Sequence, residues 1–460
     1  MQQIEFLVNQ INSFLWDFAL LILLCGTGVY FTVRLGFVQL RRFGEGMRQV
    51  FGNVRLHGDK AGASGMSSFQ SLATAIAAQV GTGNIAGAAT AIASGGPGAI
   101  FWMWLSAFFG MATIFAEATL AQTYKKTVGG EVTGGPVYYI KARFKGAFGT
   151  FLAGFFSIAI IIALGLMGNM VQSNSISDSF KQAFGIPPLI TGLFVAAIAL
   201  FIFWGGKRRI ASTAEKIVPV MAVFYVLGGL IVLVMNITAI PAAFEQIFVL
   251  AFAPQAIAGG VAGVTVKEAV RYGVARGLFS NEAGMGSTPH AHALARVDHP
   301  CRQGIVAMIG VFIDTFVVLT MTALVILTTG ALGTGTTGAT LAQNAFNSAF
   351  GRFGDVFIAI CMLFFAFSTI VGWYFFGQTN VKYLFGTGKL PTAIYTLLVL
   401  VFIVLGSRAK VQMVWDLSDL FNGLMVIPNL IAVVALGGVV VQKYREFAEK
   451  NDTEGEREKK

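Results

Sequence analysis

The sequence predicts an all-α integral membrane protein of about eleven transmembrane helices, built as a five-plus-five inverted repeat with two broken helices and one extra N-terminal helix. Three observations lead there. Hydrophobic residues make up 55% of the 460 and charged residues only 12%, with a mean hydropathy of +0.72. Soluble domains carry roughly 25% charged residues, and a soluble core cannot hide this much apolar surface. Eleven apolar runs have the roughly 17–25 residues that a bilayer requires, or more. Two of those runs, 66–95 and 266–293, are interrupted by glycine-rich polar stretches at matching positions.

Residues 1–13 contain no Lys or Arg, and the run 14–33 forms the first span. A cleavable signal peptide would need a basic start and a shorter apolar centre, so none is expected. Arg34, Arg41, Arg42, Arg48, Arg55 and Lys60 follow, which puts this loop in the cytoplasm and the N-terminus outside. Residues 37–52 suit an amphipathic helix lying along the membrane. The further spans are read at 66–95, 97–124, 148–178, 187–204, 212–236, 266–293, 302–329, 354–380, 391–407 and 412–442. If they alternate, cytoplasmic loops and the tail hold 25 of the 32 Lys and Arg. The others are Lys181, Lys267, Arg271, Arg276, Arg352, Arg408 and Lys410. That bias predicts a multi-pass plasma (inner) membrane protein with its N-terminus outside and its C-terminus in the cytoplasm. The net charge of +10 therefore serves topology rather than nucleic-acid binding. From Gln442 through NDTEGEREKK the chain is charged and apolar-poor and reads as a disordered tail.

Segments starting near 97, 148, 187 and 212 recur near 302, 354, 391 and 416, and the starts at 66 and 266 match as well. Five spans entering from the cytoplasm followed by five entering from outside form, by parity, an inverted pair. The organisation follows: 1–65 as the extra helix and a cytoplasmic amphipathic loop, 66–236 as the first repeat, 237–265 as an extracellular connection, 266–442 as the second repeat, and 443–460 as a charged cytoplasmic tail.

The first break is Gly81-Thr82-Gly83-Asn84, with apolar residues on both sides, so a polar tetrad sits at membrane depth. Glycine weakens a helix by about 1 kcal/mol per residue against alanine. A broken helix exposes carbonyls and amides able to hold a cation or a small zwitterion. The matching stretch ARGLFSNEAGMGSTPHAHA, 275–293, carries Gly277, Gly284, Gly286, Ser280, Asn281 and Glu282. Two glycine-interrupted segments in corresponding positions point to a transport site. The competing explanation is a GxxxG helix contact between Gly83 and Gly87, with Glu282 in a loop. The GxGxxxG spacing, with no strand before it, excludes a dinucleotide fingerprint.

GTGNIAG, GGPGAIFWMW, GGPVYYI at 134–140, SNEAGMGS and FSTIVGWYFFG at 367–377 together resemble the alanine or glycine:cation symporter family over most of 66–380. That family is similar in fold to the bacterial leucine transporter. The resemblance implies secondary active import of a small neutral amino acid, alanine and/or glycine, by symport with sodium, or alternatively with protons. Its implied partners are the amino acid, the sodium ion and the lipid bilayer, with no nucleic acid and no obligate protein partner evident.

Sodium wants about five or six oxygen ligands, and neutral carbonyls and hydroxyls hold it weakly enough to release. Aligned to the leucine-transporter fold, the carbonyls of Ala77, Val80 and Phe365 and the hydroxyls of Ser368 and Thr369 would bind it. Without the resemblance, those hydroxyls read equally as groups bonded to their own helix backbone. A substrate carboxylate needs amides at a half-helix N-terminus, which Thr82, Gly83 and Asn84 supply. Its ammonium would meet Phe279, Ser280 and Asn281, with Gln79 nearby. Phe279 and Trp373 would form a small apolar wall that excludes large side chains, although aromatics at helical spacing more often only pack.

Four more ionisable groups fall within spans, where charge is costly. Glu282 is expected to cap the free amides of the second break, Asp314 to be structural or to carry protons, and Glu117 to pair with a loop Arg; Asp416 is the fourth. His290 and His292 lack the HExxH pattern of a metal site. Cys25, Cys301 and Cys361 have neither disulfide-framework nor zinc spacing. Without GxSxG, HExxH or a Walker lysine the chain is not expected to be an enzyme, and two broken helices in one chain argue against a channel.

Overall fold

The computed structural model describes residues 2–52, 67–253 and 265–457. Arg55 and Lys60 of the first loop, the stretch 254–264 of the expected connection and the last three tail residues lie outside the described residues. Among the described residues, eight helices are long and apolar enough to cross a membrane: Phe6–Arg34, Ala99–Thr123, Gly146–Phe184, Gly206–Met235, Pro300–Thr328, Phe353–Phe385, Lys389–Arg408 and Val411–Ala435. Pro188–Trp204 is a shorter apolar helix. The remaining two expected spans are the interrupted ones, each too short on either side of its break to count alone.

Both interrupted segments open in the same way. Ser67 caps Ser68–Gln79 by accepting from the Gln70 amide, while the Gln70 side chain accepts from the Ser67 amide. Thr265 and Glu268 repeat this reciprocal cap at the start of Val266–Asn281. Such a box satisfies two otherwise free amides where a helix must begin at a fixed residue. After each broken segment come a long helix, a second long helix, a shorter one and another long one, so the order of elements repeats across the chain.

The contacts around the breaks are made by small residues, which let backbones approach within a bilayer. A Cβ on Gly273 would meet the Ala99 carbonyl, and one on Gly372 would meet Ala78 at 2.9 Å. Val266–Asn281 is thereby held against Ala99–Thr123, and Ser68–Gln79 against Phe353–Phe385. Among the described residues, four π-helical turns interrupt the spans, at Leu15–Ala19, Gly83–Gly87, Ile161–Gly168 and Phe312–Leu319. The extra residue in such a turn displaces side chains from the regular helical face.

Several boundaries differ from the sequence reading. The first helix begins at Gln2 and not near residue 14, because its early turns dock on Val411–Ala435: the Asn12 amide donates to the Asp416 carbonyl and the Trp16 indole to that of Asp419. The region 37–52 forms two short helices, Val38–Arg41 and Phe43–Phe51, after a tight turn at Gly36 and Phe37, both with positive φ. Phe43–Phe51 packs on Pro300–Val311 rather than only lying along a membrane. The 237–265 connection contains the helix Ile240–Leu250, and Gly338–Phe350 adds another between spans. The tail is not disordered from 442: Gly437–Arg457 is helical. Its buried Phe447 anchors it, with the His299 ring 5.2 Å away and the Arg42 guanidinium 5.5 Å above it.

Candidate functional site

The first broken helix, Ser68–Gln79, ends at Val80, whose ψ of 86° leaves the helical region, and resumes in the π turn Gly83–Gly87. Asn84 stitches the gap. Its Oδ1 accepts from the Gly81 amide at 3.0 Å, and its Nδ2 donates to the Asp314 carboxylate at 2.7 Å and carbonyl at 3.0 Å. The Thr82 amide donates to Gln172 Oε1 at 3.2 Å. Gly83 opens the resumed helix, where amides precede the first internal bond. It also lies tight against the second break: a Cβ there would lie 2.9 Å from both Cα and Cβ of Ser280. Gly87 has room, with no neighbour nearer than 3.8 Å, so a GxxxG contact does not explain the pair.

The second interruption is a helix end rather than a mid-helix gap. Val266–Asn281 stops where Glu282 takes φ +57°, and Gly284 and Gly286 follow with φ +97° and +78°, a left-handed run that glycine adopts without strain. The free amides of Gly284 and Gly286 donate at 3.0 Å to Glu117, not to Glu282. Glu117 also accepts from Asn429, so it caps the break instead of pairing with a loop arginine. Glu282 accepts instead from the Trp373 indole and the Ser287 hydroxyl. Trp373 thus presents a polar edge to Glu282 while its ring stands at right angles to Phe279, centroids 5.4 Å apart. Phe279 packs further on Trp415, at 4.7 Å.

Asp314 joins the two breaks. Its carboxylate accepts from Asn84 of the first, from Ser280 Oγ of the second at 3.0 Å, and from Thr315 Oγ1 at 2.9 Å. Asn281 donates to Thr315 Oγ1, and its carbonyl accepts from Gln79 Nε2 at 2.7 Å. All eight residues expected around the amino acid are buried. Four of them, Gln79, Asn84, Ser280 and Asn281, are joined through Asp314 and Thr315 in one hydrogen-bonded network, while Gly83 lies against Ser280, Thr82 bonds Gln172 and Phe279 meets the Trp373 ring.

Beside this network, Thr369 Oγ1 lies 3.1 Å from the carbonyls of Ala77 and Phe365 and 3.2 Å from that of Ala78. Ser368 Oγ donates to the Phe365 carbonyl at 2.9 Å. A hydroxyl has one proton, so Thr369 cannot satisfy three carbonyls together, and lone pairs remain that suit a hard cation. Val80 is fully buried at the adjoining helix end, and the next residue, Gly81, approaches Thr369 so closely that a Cβ would collide with its hydroxyl. Ser368 and Thr369 do bond their own helix, as the plainer reading held, but Thr369 also crosses to the broken one.

A model of the sodium:alanine symporter family matches residues 1–460. The chain belongs to that family. It is 43% identical over 449 residues to the sodium/alanine symporter AgcS of Methanococcus maripaludis, covering 96% of this chain and 97% of the relative. It is 42% identical to the amino-acid carrier protein AlsT of Bacillus subtilis, over 96% and 92% of the two chains. It is 44% identical to the probable sodium/glutamine symporter GlnT of the same organism, over 97% and 91%. A solved manganese transporter of Eremococcus coleocola shares the fold, with a TM-score of 0.53 at 13% identity over 82% of this chain and 78% of that one. Membership makes the chain a multi-pass membrane transporter of the symporter type and not an enzyme.

Within this sodium:alanine symporter family member, Gln172, Glu117, Asn429 and Trp415 had no assigned place in the sequence reading of the site. The signal for Gln172 was a polar run, Asn169 to Ser179, closing an otherwise apolar span. Most of that run is buried, and Gln172 Nε2, Ser173 Oγ and Ser177 Oγ, with Thr82 Oγ1 across from them, are buried without a partner among the described residues. Buried polar atoms left this way cost about 1–3 kcal/mol each, so they mark a place where a polar ligand is gained cheaply.

Proposed function

We propose that the protein imports a small neutral amino acid, alanine or glycine, by symport with sodium through alternating access, with its N-terminus outside and its C-terminus in the cytoplasm. The observation that carries this reading is the meeting of both helix interruptions at Asp314, directly beside the oxygen cluster of Thr369. The substrate carboxylate docks at the Gly83 amide and the Thr82 hydroxyl, where the resumed helix is positive at its start. Gln172, already holding the Thr82 amide, offers its free Nε2 to the same carboxylate. The ammonium lies toward Ser280, Asn281 and Gln79. Phe279 and Trp373 limit side-chain size. Sodium takes the carbonyls of Ala77, Val80 and Phe365 and the hydroxyls of Ser368 and Thr369, so ion binding fixes the end of the first half-helix and orders the carboxylate site next to it. That shared element links the two affinities. The names of two relatives, sodium/alanine symporter and amino-acid carrier, support this choice of cargo.

Counterflow of radiolabelled alanine in proteoliposomes tests the carrier reading, since a channel does not exchange labelled for unlabelled substrate. Uptake of alanine, glycine and glutamine under separate sodium and proton gradients tests the rest. Accumulation driven by sodium alone supports the proposal; accumulation driven only by protons replaces it with proton coupling, for which Asp314, bonded to both breaks, is the first carboxylate to test.

A further inference from the structure

One cavity, whose lining shares no residue with the transport site, has a different chemistry. Its volume is about 340 Å³, within the range of small-ligand pockets. Tyr124, Lys126, Val137, Tyr138, Lys141 and Tyr383 line it. Tyr124 ends the span Ala99–Thr123, and Tyr383 lies in the last turns of Phe353–Phe385. Lys126 begins a two-stranded hairpin, Lys126–Val128 with Glu131–Thr133, turned by Gly129 and Gly130 at positive φ. Val137, Tyr138 and Lys141 belong to the helix Pro136–Arg143. The cavity therefore sits where two spans end, at the membrane–water boundary.

Its polar groups are uncommitted. Among the described residues, neither Lys126 nor Lys141 forms an ion pair, and the three tyrosine hydroxyls donate no hydrogen bond. The nearby carboxylate, Glu131, is held by Lys207 at 2.8 Å, and Arg143 and Lys125 are turned to carbonyls elsewhere. Three neutral donors and two cations surround one space with no acidic residue in its wall. Elements that build or pack against its wall carry exposed apolar side chains: Phe148 and Phe151, on the helix packed against Pro136–Arg143, are 56% and 66% exposed, and Phe385, two residues after Tyr383, is 68% exposed.

We propose that this cavity binds a phosphate group, that of an anionic phospholipid whose chains lie along Phe148, Phe151 and Phe385. Lysines at a membrane surface attract anionic lipid with an energy equivalent to about fivefold in affinity each. Tyrosine belongs at the same depth, its ring in the interface and its hydroxyl on the headgroup.

The test uses the full-length protein in neutral detergent, titrated with phosphatidylglycerol or phosphatidylcholine and read by native mass spectrometry and thermal unfolding. Wild type should retain phosphatidylglycerol selectively and unfold at a higher temperature with it. K126Q/K141Q should lose that adduct and weaken binding about 25-fold, while K126R/K141R should keep it. Lys141 is exposed, so K141Q alone, with a loss of about fivefold, serves if the double variant does not fold. Equal affinity of wild type and glutamine variants for phosphatidylglycerol overturns the site. Equal protection by inorganic phosphate at matched concentration overturns the lipid assignment.

Discussion

Gly83→Ala is the most direct perturbation of the transport site. The new methyl would lie 2.9 Å from Ser280 Cα, 2.9 Å from its Cβ and 3.0 Å from its Oγ. Backbone is among the atoms met, so trimming the serine side chain does not make room, and relief requires the two broken segments to separate. Separation stretches the bonds from Asn84 and Ser280 to Asp314. Overpacking of this kind costs about 1–3 kcal/mol, against a gain of up to about 1 kcal/mol from helix propensity. The overlap lies between the halves of the site, not within a long helix, so the cost should fall on substrate affinity: about 5- to 150-fold weaker alanine binding. Gly87→Ala, with 3.8 Å to its nearest neighbour, is the internal control and should bind normally. The assay is calorimetric alanine binding by detergent-purified protein in sodium, with monodispersity and unfolding temperature measured on the same samples. Wild-type affinity in Gly83→Ala, or equal loss of folding in both variants, would refute the reasoning.

Replacing Ser368 and Thr369 together by alanine removes two hydroxyl ligands from the Ala77 and Phe365 carbonyls. Apparent sodium affinity should fall at least tenfold before expression does, and an unchanged sodium dependence of alanine uptake rules the assignment out. Trp373→Phe keeps a ring against Phe279 but withdraws the indole donor from buried Glu282. It should lower stability by about 1–3 kcal/mol in thermal unfolding, whereas Trp373→Ala should also raise the leucine-to-alanine uptake ratio; an unchanged ratio shows that the tryptophan does not line the pocket. Glu117→Gln leaves one carboxylate oxygen's worth of acceptor missing at the Gly284 and Gly286 amides, at a cost of about 1–3 kcal/mol. Glu282→Gln leaves those amides untouched, so amide exchange should quicken at 284–286 in the first variant and not in the second.

Composition and local chemistry determined a great deal. The spans were legible because a bilayer demands long apolar runs with few charges, and the breaks because Gly81, Gly83, Gly284 and Gly286 are costly inside a helix unless the backbone must turn. The short segments Ile240–Leu250 and Gly338–Phe350 were missed, since neither is long enough to announce itself against its loop. Helical order past Gln442 was missed because it depends on Phe447 finding Arg42 and His299, which no local pattern records. The same limit applied to the carboxylates. Glu282 stands two residues from Gly284 in sequence, yet the amides of that turn point to Glu117, 167 residues before Gly284. Asp314 was visible as a buried charge, but its bonds to Asn84 and Ser280 exist only once two half-helices meet around it. A span is fixed by residues adjacent along the chain, whereas a buried acceptor is satisfied by whichever donors packing brings within 3 Å, and that is decided only when the helices are in place.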